Sequence, residues 1–122
     1  MARAWEARIA ATTLQTARLH RDAVSRAYYA ALHWVRALLL ARGLERRSHT
    51  GAFNLLHRDF IQKGLLPSLS GWQLAGLQRS REMADYDSAA NFTADEVATL
   101  LTIVDNLAND ATAILQAEGR LR

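Results

Sequence analysis

The amino-acid sequence predicts an all-α protein, an antiparallel up-and-down helical bundle of four main helices plus one extra. Alanine (23) and leucine (19) fill 42 of the 122 positions, whereas valine and isoleucine fill only 8, and this composition favours helix over strand. There is a single proline, Pro67, and apolar residues recur at helical spacing in five segments. The length suits one compact domain, so residues 1–122 are predicted to form a single helical domain.

The first two predicted helices follow each other with only a short break. The first runs from about Ala2 to Leu19 and the second from about Asp22 to Ala41, where Gly43 suits the left-handed conformation that often ends a helix. The second helix carries a continuous apolar stripe, predicted to form the bundle core: Val24, Ala27, Tyr28, Ala31, Val35, Leu38 and Leu39. The three tryptophans are predicted to be packing anchors: Trp5, Trp34 and Trp72.

Three further helices begin at residues whose side chains suit capping. The third is predicted between the N-cap Ser48 and Gly64, before the turn around Pro67. The fourth is predicted from Ser70 to about Tyr86, because its first residues fit a capping box. The fifth is predicted from Thr93 to about Glu118, and it begins with the same kind of box.

The composition also excludes several kinds of chemistry. There is no cysteine, so disulfides, thiolate metal sites and cysteine nucleophiles are absent. The four histidines lack metal-binding spacing and no glycine-rich phosphate loop occurs, so neither a metal nor a cofactor is expected. No apolar run is long enough to span a bilayer, and Met1 to Glu6 lacks a signal-peptide pattern, which predicts a cytoplasmic protein and no membrane partner.

Charge is distributed unevenly along the chain. Residues 1–81 carry 13 basic and 4 acidic side chains, whereas residues 82–118 carry 8 acidic and no basic ones. Of the 15 basic residues 14 are arginines, whose planar guanidinium suits bidentate phosphate contacts. A GC-rich genome would produce the same arginine bias, so charge alone favours nucleic acid only slightly as a partner.

A polar stripe runs beside the core stripe on the second helix. Its members share one helical face: Asp22, Arg26, Tyr29, His33 and Arg36. Asp22 and Arg26 can pair at i, i+4, and the tyrosine and histidine offer hydrogen bonds and rings for stacking. This face predicts a phosphate or nucleobase groove, and the alternative is a partly solvated face with one ion pair.

The fourth helix carries an arginine within its apolar seam. Arg81 lies at core spacing after two leucines, and a buried guanidinium is costly unless it is paired. We therefore expect a carboxylate such as Asp22 or Asp85 beside it, or a pocket at that point. Arg79 and Tyr86 are predicted to lie together on the adjacent face, two turns apart.

Four blocks of the sequence carry a resemblance to a known family. They are AVSRAYYAALHWVRALLLARGLE (Ala23 to Glu45), RSHTG (Arg47 to Gly51), FIQKGLLP (Phe60 to Pro67) and REMADYD (Arg81 to Asp87). Together they resemble the small standalone HEPN (higher eukaryotes and prokaryotes nucleotide-binding) proteins of bacteria and archaea. The resemblance implies a helical bundle that usually dimerises. It also implies a toxin or defence protein encoded beside a minimal nucleotidyltransferase antitoxin and, in active members, a metal-independent endoribonuclease.

Active members of that family place an arginine, four to six residues and then a histidine at the dimer cleft. In some, a tyrosine two positions later is adenylylated by the partner. Counted from Arg79, Ala84 stands at the histidine position and Tyr86 at the tyrosine position. Counted from Arg81, Tyr86 itself stands at the histidine position. Neither register supplies an imidazole, so a histidine from another element or a second copy would have to transfer the proton.

Three functions follow from these patterns. The first is a homodimeric module that binds RNA or a nucleotide and a nucleotidyltransferase partner, with little or no nuclease activity. The second is a metal-independent endoribonuclease toxin, and the third is a helical scaffold whose arginines only form ion pairs. The candidate catalytic residues are Arg79, Arg81 and Tyr86; the nuclease would use Arg79 or Arg81 for phosphate and His33, His49 or Tyr86 for proton transfer. The candidate RNA- or nucleotide-binding residues are Arg26, Tyr29, His33, Arg36, His49 and Asp85.

Overall fold

A computed structural model describes residues 2–119, and every regular element in that range is helical. The helices are α1 (Ala2–Thr16), α2 (His20–Ala41), α3 (His49–Leu56), α4 (Leu69–Tyr86) and α5 (Ala94–Ala117). His57–Ile61 continues α3 as one wider, π-helical turn. The central helix is α2, which packs against the other four, so the predicted all-α bundle is confirmed. None of the helices within residues 2–119 combines the length and apolarity needed to cross a membrane.

One turn connects α1 to α2, and a second turn ends α2. Arg18 adopts a left-handed φ of 63°, which ends α1 at Thr16, earlier than the predicted Leu19. At the far end of α2, Gly43 has a φ of 69° and its N–H donates to the Leu40 carbonyl at 2.9 Å. The predicted glycine cap of α2 is therefore confirmed.

Two of the three predicted N-caps are confirmed. The hydroxyls of Ser48 and Thr93 accept a hydrogen bond from the backbone N–H three residues later, at 2.9 Å and 3.1 Å. The predicted cap at Ser70 is wrong, because α4 already begins at Leu69. Pro67 presets a helix-compatible φ, and its carbonyl accepts the Ser70 N–H at 3.0 Å, so Ser70 lies inside the first turn.

The core lies around α2. All seven residues of its predicted apolar stripe are buried. Of the three predicted tryptophan anchors only Trp34, 2% exposed, is confirmed, whereas Trp5 and Trp72 are 51% and 72% exposed. The Trp5 ring meets Trp34 edge-on, with 5.7 Å between centroids. Trp72 stands in an open groove between α4 and α5, which contact each other little, so most of its side chain stays exposed.

Arg21, in the first turn of α2, fixes the connection between α4 and α5. Its guanidinium donates to the carbonyls of Ala84 at 3.0 Å, Asp87 at 2.7 Å and Ser88 at 3.3 Å, and also to the carbonyl of Ala90. The first of these carbonyls belongs to the last turn of α4, where a cation is favourable. One side chain therefore holds the segment that follows Tyr86.

Replacing Arg21 is expected to destabilise the fold. Because its charged donors satisfy several carbonyls, Arg21→Gln should lower the free energy of unfolding by about 1.5–3 kcal/mol, as measured by urea unfolding. Arg18→Gln is the matched control, since Arg18 is exposed at the neighbouring turn and should change stability by less than about 0.5 kcal/mol. Equal effects of the two substitutions would contradict the role of Arg21.

Candidate functional site

Polar and aromatic side chains of α2, α3 and α4 meet on one side of the bundle. We term this group the tyrosine–arginine cluster; it comprises Ser25, Arg26, Tyr28, Tyr29, His49, Arg81, Asp85 and Tyr86. These residues come from three stretches of the sequence, and the central position of α2 between α3 and α4 brings them together. Six of the nine predicted site residues belong to the cluster.

Arg81 occupies the centre of the cluster. One of its terminal nitrogens, Nη2, donates to the Tyr29 hydroxyl at 3.0 Å, and its Nε lies 2.8 Å from Asp85 Oδ2. The buried Nε–H does not point at that carboxylate, so this contact is an ion pair rather than a hydrogen bond. The Cζ atom lies 5.4–5.6 Å from the ring centroids of Tyr28, Tyr29 and Tyr86. The expected carboxylate partner of Arg81 is thus Asp85.

His49, the first residue of α3, enters the cluster through Tyr28. Its Nδ1 lies 2.8 Å from the Tyr28 hydroxyl, and its ring meets Tyr29 edge-on, with 6.0 Å between centroids. Burial and the charges of Arg36 and Arg81 lower the pKa of His49 from its usual value near 6.5. Its imidazole is therefore neutral at pH 7. Because a tyrosine hydroxyl can donate or accept, Tyr28 can orient the ring whichever nitrogen carries the proton.

Tyr28 is one of two cluster residues that were not predicted as site residues from the sequence. Its ring is 1% exposed and belongs to the core, as predicted, but its hydroxyl reaches His49. Burial raises the pKa of Tyr28 to about 12, so the hydroxyl stays protonated at neutral pH. A buried tyrosine needs a partner for its hydroxyl, and that requirement is the signal that could have identified it. Ser25, which also went unnoticed, hydrogen-bonds to the Asp85 carboxylate.

Arg26 does not form the ion pair expected from its spacing. The salt bridges of residues 2–119 do not include a pair between Arg26 and Asp22. The guanidinium instead lies over the Tyr29 ring, 4.8 Å from its centroid. This cation–π contact leaves the Arg26 charge at the exposed edge of the cluster, where it can meet an anion.

His33 and Arg36 continue the polar stripe along α2, away from the cluster. Burial and the charges of Arg36 and Arg3 lower the pKa of His33 from its usual value near 6.5. Arg36 donates to the carbonyl of Arg47 at 3.2 Å. Within residues 2–119 no three histidine, aspartate or glutamate side chains are grouped so that they could hold a metal ion.

Arg79 lies apart from the cluster. It is exposed and lines a cavity of about 670 Å³ between α4 and α5, together with Trp72 and Met83. Ala84, the histidine position counted from Arg79, is buried at 2% exposure. Tyr86 is 77% exposed and approaches Arg81. The helix therefore presents Arg81 to the cluster, and not Arg79.

The two depressed histidine pKa values predict that stability falls on acidification. Between the folded-state pKa of His33 or His49 and the unfolded value near 6.5, the unfolded chain binds more protons. The stabilisation that comes from keeping these histidines neutral should therefore be complete above about pH 6.5. It should be lost as the pH falls through the pKa values that the two histidines have in the folded protein. Urea unfolding between about pH 5 and 7 measures this slope. His49→Gln should flatten it, whereas a slope unchanged by that substitution would contradict the assignment.

The fold is that of a small all-α helical bundle. The HEPN domain profile matches residues 1–114, and the chain belongs to that family, as the resemblance predicted. A "putative toxin" of Methanocaldococcus jannaschii is 36% identical over 77 residues, which cover 63% of this chain and 58% of that protein. UPF0332 proteins of Gloeobacter violaceus and Thermotoga maritima are 35% and 34% identical, over 73% and 69% of this chain. The match spans 75% of the Gloeobacter protein and 63% of the Thermotoga protein. The chain therefore spans less than two thirds of the length of the Methanocaldococcus and Thermotoga relatives.

Proposed function

We propose that this toxin-like HEPN protein binds RNA at the tyrosine–arginine cluster and cleaves it without a metal ion. The observation that supports this most is that one cluster contains both a proton acceptor and a cation. A neutral imidazole, that of His49, is held by Tyr28, and both tyrosines that it contacts also flank the Arg81 guanidinium. A proton acceptor and a fixed cation thus share a site, although the motif histidine is missing.

The chemistry would be attack by a ribose 2′-hydroxyl on the adjacent phosphodiester. His49 accepts the 2′-hydroxyl proton as the new P–O bond forms, and the bond to the 5′ oxygen breaks. Arg81 stabilises the charge on the phosphate oxygens, and its Nη1 forms no hydrogen bond within residues 2–119. The departing oxygen takes a proton from water or from the imidazole of a second copy in a homodimer. The products are a 2′,3′-cyclic phosphate and a 5′-hydroxyl.

Cleavage of tRNA or mRNA by the purified protein in EDTA tests the proposal. The expected result is cleavage that EDTA does not inhibit, with fragments ending in the cyclic phosphate. No cleavage at high protein concentration would contradict the nuclease function. Filter binding over a salt series then decides whether RNA still binds, since phosphate contacts make affinity fall with log salt.

The second candidate is a binding module without nuclease activity, and the contacts that Arg81 already makes favour it. Its guanidinium already contacts Asp85 and Tyr29, and phosphate would have to displace part of this pairing. Such a module would act through a minimal nucleotidyltransferase partner. Tyr86, whose ring is 77% exposed, is available for adenylylation. Mass spectrometry after co-expression with such a partner should find the adenylate on Tyr86, and labelling elsewhere would contradict this assignment.

A further inference from the structure

A second cavity lies beside the cluster, at the C-terminal end of α2 and in the loop that follows. It has a volume of about 430 Å³, and its lining includes Arg36, Leu39, Leu40, Leu44, Arg46 and Arg47. None of the predicted site residues lies in this loop, although Arg36, which also lines the cavity, is one of them. The leucines form an apolar part of the cavity, which we term its floor, and the arginines form a cationic part, which we term its rim, so the composition is unlike that of the cluster.

The floor of the cavity is apolar and partly open to solvent. Leu39 is buried, Leu44 is half-buried and Leu40 is 70% exposed. A large exposed leucine within a concave surface offers the kind of contact that the flat face of a nucleobase can cover. The floor therefore suits a base, or another flat apolar group, rather than an ion alone.

The rim carries a net positive charge. Arg46 and Arg47 are exposed and belong to none of the ion pairs found in residues 2–119, and Glu45 supplies the only carboxylate among the lining residues. Arg36 completes the rim. Three guanidinium groups against one carboxylate complement the phosphates on either side of a bound base. An acidic protein would meet the same charges, but the open apolar floor favours a stacked base.

The cavity and the cluster lie along the same face of α2. Arg36, which lines the cavity, follows Tyr29 of the cluster by seven residues and therefore shares its helical face. Tyr29 and Leu40 are 11 residues apart on α2, which at about 1.5 Å per residue places them about 16 Å apart along the helix axis. A single strand of about four nucleotides, the lower end of known single-strand footprints, can follow such a path.

We infer that this cavity is a second nucleotide subsite, which takes one base and the neighbouring phosphates of a single-stranded RNA whose other end occupies the tyrosine–arginine cluster. The inference rests on the proposed function, since it extends the RNA site already described. It adds a length preference: RNA that reaches the cavity binds more tightly than RNA that fills the cluster alone.

The test uses RNA that cannot be cleaved, so that binding is measured apart from catalysis. Fluorescence anisotropy would compare a labelled 2′-O-methyl RNA dinucleotide with a hexanucleotide. The double variant Arg46→Gln/Arg47→Gln should weaken hexanucleotide binding about tenfold and make the salt slope shallower by about 1.4, for two lost phosphate contacts. Dinucleotide binding should not change. The matched control, Arg18→Gln/Lys63→Gln, removes the same charge from residues that do not line the cavity and should leave the hexanucleotide affinity unchanged within about twofold.

Leu40→Gln tests the floor separately. It should weaken hexanucleotide binding about threefold to tenfold without altering the salt slope, because no charge is removed. Equal losses for the dinucleotide and the hexanucleotide, or equal losses in the control variant, would overturn the second subsite while leaving RNA binding at the cluster. Failure of the unmodified protein to bind either RNA would overturn the proposed function itself.

Discussion

Trp34→Ala is expected to lower the free energy of unfolding by about 3–5 kcal/mol. Trp34 is 2% exposed on the central helix and is among the largest fully buried side chains. Its removal leaves a cavity where α2 meets α1 and takes away the ring against which Trp5 packs edge-on. Since small domains have only about 5–15 kcal/mol of stability, this variant should be close to unfolding at 37 °C.

Trp72→Ala provides the comparison within the same chain. Trp72 is 72% exposed in the groove between α4 and α5, so the same substitution should change stability by less than about 0.5 kcal/mol. Urea unfolding followed by far-UV circular dichroism suits both variants, because it does not depend on tryptophan fluorescence. Similar losses in the two variants would mean that burial of Trp34 does not hold the bundle together.

The fold could be predicted because the decisive signals are local. The apolar stripe of α2 and the glycine cap at Gly43 depend on residues within a few turns of each other. The caps at Ser48 and Thr93 need only the backbone three residues ahead. Ser70 failed as a cap because α4 begins one residue earlier, at Leu69, so that Ser70 lies inside the first turn. The wrong prediction for Trp72 has a non-local cause, since Trp72 would be buried only if the helices α4 and α5 packed closely.

The site could be predicted only in part, because it depends on which helix faces meet. Helical spacing placed Tyr29 on the polar stripe and indicated that Arg81 needs a carboxylate. It could not show that His49 would reach Tyr28 from a different helix, since these residues lie 21 positions apart. The motif spacing also allowed two registers in α4, and only packing distinguishes Arg81, which faces the cluster, from Arg79, which faces the opposite groove.

His49→Ala and Arg81→Ala should each reduce metal-independent RNA cleavage by about 10² to 10⁴. The first removes the proton acceptor and the second removes the cation that stabilises the phosphate. Single-turnover cleavage of a labelled RNA in EDTA measures both losses. The rate should also fall as the pH drops through the lowered pKa of His49, because only the neutral imidazole accepts a proton, and it should level off above about pH 6.5.

Three further measurements separate catalysis from structure. Tyr28→Phe keeps the buried ring but removes the hydroxyl that orients His49, so it should slow cleavage less than loss of the imidazole does. Added imidazole should restore part of the activity of His49→Ala, which a merely misfolded variant would not allow. Arg79→Ala is the control, since Arg79 lines the groove between α4 and α5 and should leave the rate unchanged. If Arg79→Ala abolishes cleavage while Arg81→Ala does not, then the groove, and not the tyrosine–arginine cluster, holds the scissile phosphate.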